Sequence, residues 1–94
     1  RVEGARQKAS DRFQNTGIRS NAEMNSEHLR RFCALDDSSR HILEGAIRKL
    51  GLSARAMDRI LKVARTIADL GDSEMLKSSH VAEAIQYRTL DRLS

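Results

Sequence analysis

The chain has no proline and no tryptophan, only three aromatic residues, and a single cysteine in 94 residues. Each shortage excludes something. Without proline, and without a sustained alternation of β-branched residues, the sequence favours an all-α fold. With so few aromatics, alanine and aliphatic side chains must fill the core. One cysteine, Cys33, excludes an internal disulfide and suits a reducing compartment, so cytoplasm is the default location. It lies in the apolar-basic segment "HLRRFCAL", where a buried small hydrophobe is expected. No run approaches the roughly 18 apolar residues of a membrane span, and no signal-peptide pattern opens the chain. There is no glycine-rich phosphate loop, no nucleophile elbow and no pair of carboxylates in one apolar cleft. His28, His41 and His80 are scattered and do not complete a metal set with Cys33. By itself, this segment is expected neither to catalyse a reaction nor to hold a nucleotide or a metal.

What is present is charge and helical periodicity. Charged residues make up 32% and hydrophobic residues 39%, the balance of a small soluble helical domain. A chain of this size buries only ~60–70% of its unfolded surface, so the core is limited. The net charge of +4 is unevenly spread. Residues 1–20 carry five basic and two acidic side chains, and residues 40–65 carry seven against two. Residues 66–94 reverse the sign, with three against five. Such a pattern fits a nucleic-acid surface, an anionic ligand, an acidic partner or simple solvation.

The periodicity predicts four main helices and one short one in a single helical bundle. In "RVEGARQKASDRF", residues 1–13, Val2, Ala5, Ala9 and Phe13 recur at helical spacing. Residues 14–25 are polar and aperiodic and read as a connector. The bundle proper is expected over 26–94. It begins with a short helix near 26–34 that carries Leu29, Phe32 and Cys33. Asp36 or Asp37 offers an N-cap for a helix over 38–50, with Ile42, Leu43, Ala46, Ile47 and Leu50 as its stripe. Gly45 weakens that helix by ~1 kcal/mol relative to alanine and suggests a close approach. Gly51 suits a left-handed C-cap, Ser53 an N-cap, and Leu52 with Met57 a hydrophobic staple. The next helix, ending at Gly71, has the clearest pattern. Met57, Ile60, Leu61, Ala64, Ile67 and Ala68 form its apolar face, with Leu61 near the middle. Arg55, Asp58, Arg59, Lys62, Arg65 and Asp69 form the opposite, solvent-facing side. A last helix over 79–90 buries Val81, Ala84 and Ile85, with Leu76 packing before it and Ser78 or Ser79 as cap.

Two stretches carry a family resemblance. "LSARAMDRILKVARTIADL" (52–70) and "HVAEAIQYRTLDR" (80–92) resemble the C-terminal helical domain of magnesium-chelatase-like AAA+ ATPases, nearest the bacterial ComM/YifB branch. "RVEGARQKASDRF" is similar, more loosely, to the helix that leads from the ATPase core into that domain. The resemblance implies a lid over a nucleotide held by an upstream core. It also implies that Arg55 is the sensor 2 arginine reaching the γ-phosphate of ATP, with Arg59 and Lys62 as secondary contacts. ATP and magnesium are then cofactors of the longer protein, an ATPase that works as a ring of neighbouring subunits and, for this branch, in DNA processing linked to competence and recombination. Where the family often has Thr-Pro-Glu before the last helix, this chain has Lys77, Ser78 and Ser79.

The residues alone leave other readings. An arginine in the first turn of a helix faces the positive end of the helix dipole, and pairing with Asp58 would relieve it. Residues 38–50, the turn at Gly51-Leu52 and the basic helix that follows also resemble a DNA-binding helix-turn-helix, with Arg55, Arg59 and Lys62 as recognition candidates. Asp58 and Asp69, on the same face, count against phosphate binding. The acidic last third could instead serve a helical protein-interaction module.

Overall fold

The fold is that of a computed structural model, which describes the backbone of residues 2–14 and 16–93 and the side chains of 2–14 and 16–87. Arg1 and Asn15, expected in the first helix and the connector, and Ser94, expected at the end of the bundle, lie outside the described residues. Five α-helices and no strand occur among the described residues: α1 (Val2–Arg12), α2 (Ser26–Phe32), α3 (Asp37–Leu50), α4 (Ala54–Leu70) and α5 (Ser78–Leu93). A single 3-10 turn, Asn21–Glu23, lies between α1 and α2. The all-α bundle with one short helix is the architecture that the periodicity predicts.

Side chains close the helix ends. Asp36 Oδ1 accepts from the Ser39 amide at 2.7 Å, and Ser53 Oγ accepts from the Ala56 amide at 3.1 Å. Gly51 takes φ 65°, the left-handed conformation that lets α3 stop and the chain turn into α4. At the other end of α4 the left-handed residue is Asp72 (φ 58°), one after Gly71. There the Ser73 amide reaches Ala68 O at 2.8 Å and the Asp72 amide reaches Asp69 O at 3.1 Å, a Schellman closure. Two histidines do capping work that the sequence reading assigns to serines or leaves open. His28 Nδ1 accepts from the Asn25 amide at 3.2 Å while Asn25 Oδ1 accepts from the His28 amide at 2.9 Å. At α5, His80 Nδ1 accepts from the Lys77 amide at 3.0 Å, and Ser78 and Ser79 lie inside the helix rather than capping it.

α4 is the central helix. It packs on α5, α1, the 3-10 turn and α2, while α3 packs chiefly on α5. The seam between α4 and α5 is built from small residues: Ala64, Ala68 and Val81 have no exposed surface, and Ala84 almost none. Small side chains here let the two helix backbones approach closely and so compensate for the shortage of aromatics. Ile60, rather than Leu61, is the large side chain at the centre. Leu61 is half-buried at the edge of the cluster, because α5 covers the face on which Ile60, Ala64 and Ala68 stand. Phe13 and Phe32 meet edge to face at 5.5 Å, which fixes the end of α1 against α2. Gly45 marks no close approach, since a Cβ placed there would meet nothing within 4 Å.

The stretch between α1 and α2 is more than a polar tether. Asn21 and Met24 are both buried, and the 3-10 turn packs on α4.

Candidate functional site

The N-terminus of α4 is organised by its cap. Ser53 occupies one of the four amides that a helix start leaves unpaired, so Ala54 and Arg55 begin the helix with amides that have no intrahelical acceptor. Arg55 is exposed at the second helical position. It forms no ion pair with Asp58, nor with any other described carboxylate. The dipole at this end favours an anion, and a guanidinium adds a planar fork of donors beside it. The arrangement suits a highly negative group that both could share, such as a terminal phosphate. Arg59 is exposed one turn later and Lys62 is half-buried, on the same side of the helix. The residues therefore fit one end of a bound nucleotide, while the chain has no phosphate loop to hold the rest of it. Among the described residues no three His, Cys, Asp or Glu side chains are placed to hold a metal ion. No helix there is long and apolar enough to cross a membrane.

The far end of α4 holds a group that the sequence reading misplaces. Arg65 and Asp69, assigned there to the solvent-facing side, are each only 3% exposed. They stand about 100° and 140° from Ala64 around the helix, at 100° per residue. That flank is covered by α1, the 3-10 turn and α2 instead of solvent. Arg12 grips Asp69 with two prongs, Nη2 to Oδ1 at 2.6 Å and Nη1 to Oδ2 at 2.9 Å. Asn21 completes the contact: its Oδ1 accepts from Arg12 at 2.9 Å, and its amide donates to Asp69 at 3.1 Å and to Thr66 at 3.0 Å. Arg65 approaches the same carboxylate at 3.1 Å. Its two terminal nitrogens also donate to the carbonyls of Ser73 at 2.7 Å, Glu74 at 3.0 Å and Phe32 at 3.5 Å, while the buried Nε has no partner among the described residues. It thereby fastens the α4–α5 loop and the end of α2 to α4.

The electrostatics follow from burial and pairing. Burial alone would raise the Asp69 pKa. Hydrogen bonds from Arg12 and Asn21 and the charges of Arg12 and Arg65 outweigh it, holding the carboxyl below its usual value. Burial lowers the Arg65 pKa, with Asp69 opposing. Burial also pushes the Cys33 thiol up to about 11, against the pull of Arg65 and Arg12. The cysteine is thus a buried, inert thiol.

Residues 1–88 match the family model described as "Magnesium chelatase, subunit ChlI C-terminal". The chain belongs to that family. Over 73 residues, 78% of this chain, it is 51% identical to the competence protein ComM of Haemophilus influenzae and 48% identical to the protein YifB of Escherichia coli. Over 88 residues, 94% of this chain, it is 35% identical to the protein Rv2897c of Mycobacterium tuberculosis. These relatives are much longer: the matched region is 14% of ComM and of YifB, and 18% of the mycobacterial protein. No solved structure matches.

Within this chelatase-family domain, the residues predicted from sequence and those missed by it occupy opposite ends of one helix. Arg55, Arg59 and Lys62 lie on the N-terminal half of α4, and Arg12, Asn21, Arg65 and Asp69 meet at its C-terminal end. The one local signal for the second group is the opposite charge of Arg65 and Asp69 at i,i+4 spacing, which also describes an ordinary surface pair. What distinguishes it is Arg12, 57 positions away in sequence.

Proposed function

We propose that this domain is the C-terminal lid of a magnesium-chelatase-like AAA+ ATPase, with Arg55 as its sensor 2 arginine. The observation that carries the reading is the state of Arg55: exposed, unpaired with Asp58, and set beside unfilled helix amides in a chain of this family. Mg-ATP, held by an upstream core, supplies the concentrated negative charge for which that arrangement is suited. Arg55 would bind the γ-phosphate through its fork of donors, and the α4 amides would add their dipole. Arg59 and Lys62 extend the cationic stripe toward phosphate or a neighbouring subunit of a ring. Loss of the γ-phosphate would remove the anchor of Arg55 and release the lid. The name of the H. influenzae relative, a competence protein, supports placing the whole protein in DNA processing linked to competence.

The helix-turn-helix reading is weaker. α3 and α4 both pack on α5 more than on each other, whereas a recognition helix is held directly by its partner. Asp69 no longer counts against DNA because it is buried, but Asp58 remains among the basic residues of α4.

The experiment uses a chain extended to include the upstream core, with a fluorophore on the exposed Asp37 at the start of α3 and another on the core. A non-hydrolysable ATP analogue should change energy transfer where ADP does not, and Arg55→Ala should abolish the difference. An unaltered response in Arg55→Ala, or salt-sensitive DNA binding by the domain that depends on Arg55, would overturn the reading in favour of a surface charge or a DNA contact respectively.

A further inference from the structure

α1 is held unevenly. No residue within it is buried, and Val2 is 56% exposed. Beneath α1 lies an open groove of about 530 Å³ that runs from Val2 and Ala5 to the clamp residues Asn21 and Asp69, with Ala22 and Leu70 on its far side. Ala9 packs against the core, so it is the first turns of α1, carrying Val2 and Ala5, that face the groove without closing on it. The other end is fixed: Arg12 clamps Asp69 in two places, with the Asp69 side chain 1% exposed, and Phe13 is buried against Phe32. Between these ends the one ion pair from α1 among the described residues is Lys8 to Asp72 at 3.1 Å. With Asp72 89% exposed, that pair holds little.

We infer that α1 is an arm pinned at its C-terminal end, and that Arg12 is a positioning residue which fixes the angle between α1 and α4. A two-pronged pair in which both carboxylate oxygens are engaged resists rotation, because tilting lengthens one prong as it shortens the other. Asn21 reinforces this by bonding to both partners. The groove supplies the room in which the free end can swing. Asp69 and Arg55 are 14 residues apart on one continuous helix, about 21 Å at 1.5 Å per residue. A tilt of about 10° about the pin therefore carries Arg55 through roughly 4 Å, more than the tolerance of a hydrogen bond. In this last step the inference rests on the lid reading; the pin itself does not.

The test of the pin needs neither nucleotide nor core. In a Cys33→Ala background, paired spin labels at Glu3→Cys and Val63→Cys report α1 against α4, and labels at Glu44→Cys and Val63→Cys report α3 against α4. Arg12→Gln should broaden or shift the first distance distribution by several ångströms and leave the second unchanged, with helix content preserved. Arg12→Lys should recover it only in part, since one ammonium cannot reproduce the fork. An unchanged first distribution in Arg12→Gln would overturn the pin. Equal broadening of both pairs would do so as well, by making Arg12 a general stabiliser. In the chain carrying the ATPase core, Arg12→Gln should lower kcat about tenfold, with partial recovery in Arg12→Lys. A displaced arm with normal kcat would leave the pin standing and remove its positioning role. A normal kcat in Arg55→Ala would instead remove the lid reading alone.

Discussion

Replacing Asp69 by asparagine should be the most damaging conservative change in this domain. The carboxylate accepts both prongs of Arg12, a hydrogen bond from Asn21 and the approach of Arg65. An asparagine keeps the shape and one acceptor oxygen, but its amide group turns donors toward guanidinium donors. Two buried cations then face each other without a counter-charge. Removing one partner of a buried pair typically costs ~3–5 kcal/mol. A 94-residue domain has ~5–14 kcal/mol in all, at roughly 0.05–0.15 kcal/mol per residue, so the change removes about a fifth of it or more. At about 4–8 °C per kcal/mol, the melting temperature should fall by at least ~12 °C. The comparison is Asp72→Asn, an exposed carboxylate paired with Lys8, which should move stability by less than ~1 kcal/mol. Urea denaturation followed by far-ultraviolet circular dichroism measures both. If the two variants had the same midpoint, Asp69 would not be the counter-charge of a buried cluster, and the account of that end of α4 would fail.

Three further outcomes follow from the packing and the caps. Ile60→Ala should cost ~2–5 kcal/mol and Leu61→Ala clearly less, because Ile60 is 2% exposed and Leu61 only half-buried; equal losses in a denaturant titration would contradict the position of the core. Cys33 should react with iodoacetamide at pH 8 at least ~100-fold more slowly in the native chain than in urea, since burial holds the thiol at about 11; comparable rates would mean that it is accessible. Burial first, and then the charges of Lys77 and Arg65, lower the His80 pKa, so the unfolded chain binds the extra proton more readily. Stability from this cap is therefore full above about pH 6.5 and falls as the pH drops below it. Asp69, also lowered, acts further down, its contribution being lost below about pH 4. Melting temperature against pH, for wild type and His80→Gln, checks the first of these windows; an identical slope between pH 7 and 5 in both would refute it.

Most of the secondary structure is legible in the sequence because it is local. The Ser53 cap, the Gly51 turn and the apolar face of α4 each depend on residues within a few positions of one another. The resemblance in residues 52–70 and 80–92 reaches further, and the family match over residues 1–88 bears it out. What periodicity cannot show is which flank of an amphipathic helix a distant segment will cover. Arg65 and Asp69 look like a solvent-facing pair on the helical wheel, and they are buried because α1 returns Arg12 to them across 57 positions. Asn21 looks like a loop residue for the same reason. Its role exists only once Arg12, Thr66 and Asp69 converge on it. His28 and His80 read in the sequence as scattered histidines that complete no metal set, whereas their capping bonds to residues three positions away are within reach of the sequence.

The central claim is that Arg55 serves a nucleotide and not the fold. Steady-state ATP hydrolysis and melting temperature, measured together on the chain extended through its upstream core, test it most directly. The variants are Arg55→Ala, Arg55→Lys and, as a control on α3, Arg48→Ala. Arg55 is exposed and pairs with no described carboxylate, so its removal should leave the melting temperature unchanged or slightly raised by relief at the helix dipole. Turnover should fall on the order of 10²–10³-fold in Arg55→Ala, as for the loss of one positioned donor. Arg55→Lys should recover only part of it, and Arg48→Ala should hydrolyse ATP normally. Wild-type turnover in Arg55→Ala would reduce Arg55 to an ordinary surface charge and contradict the account.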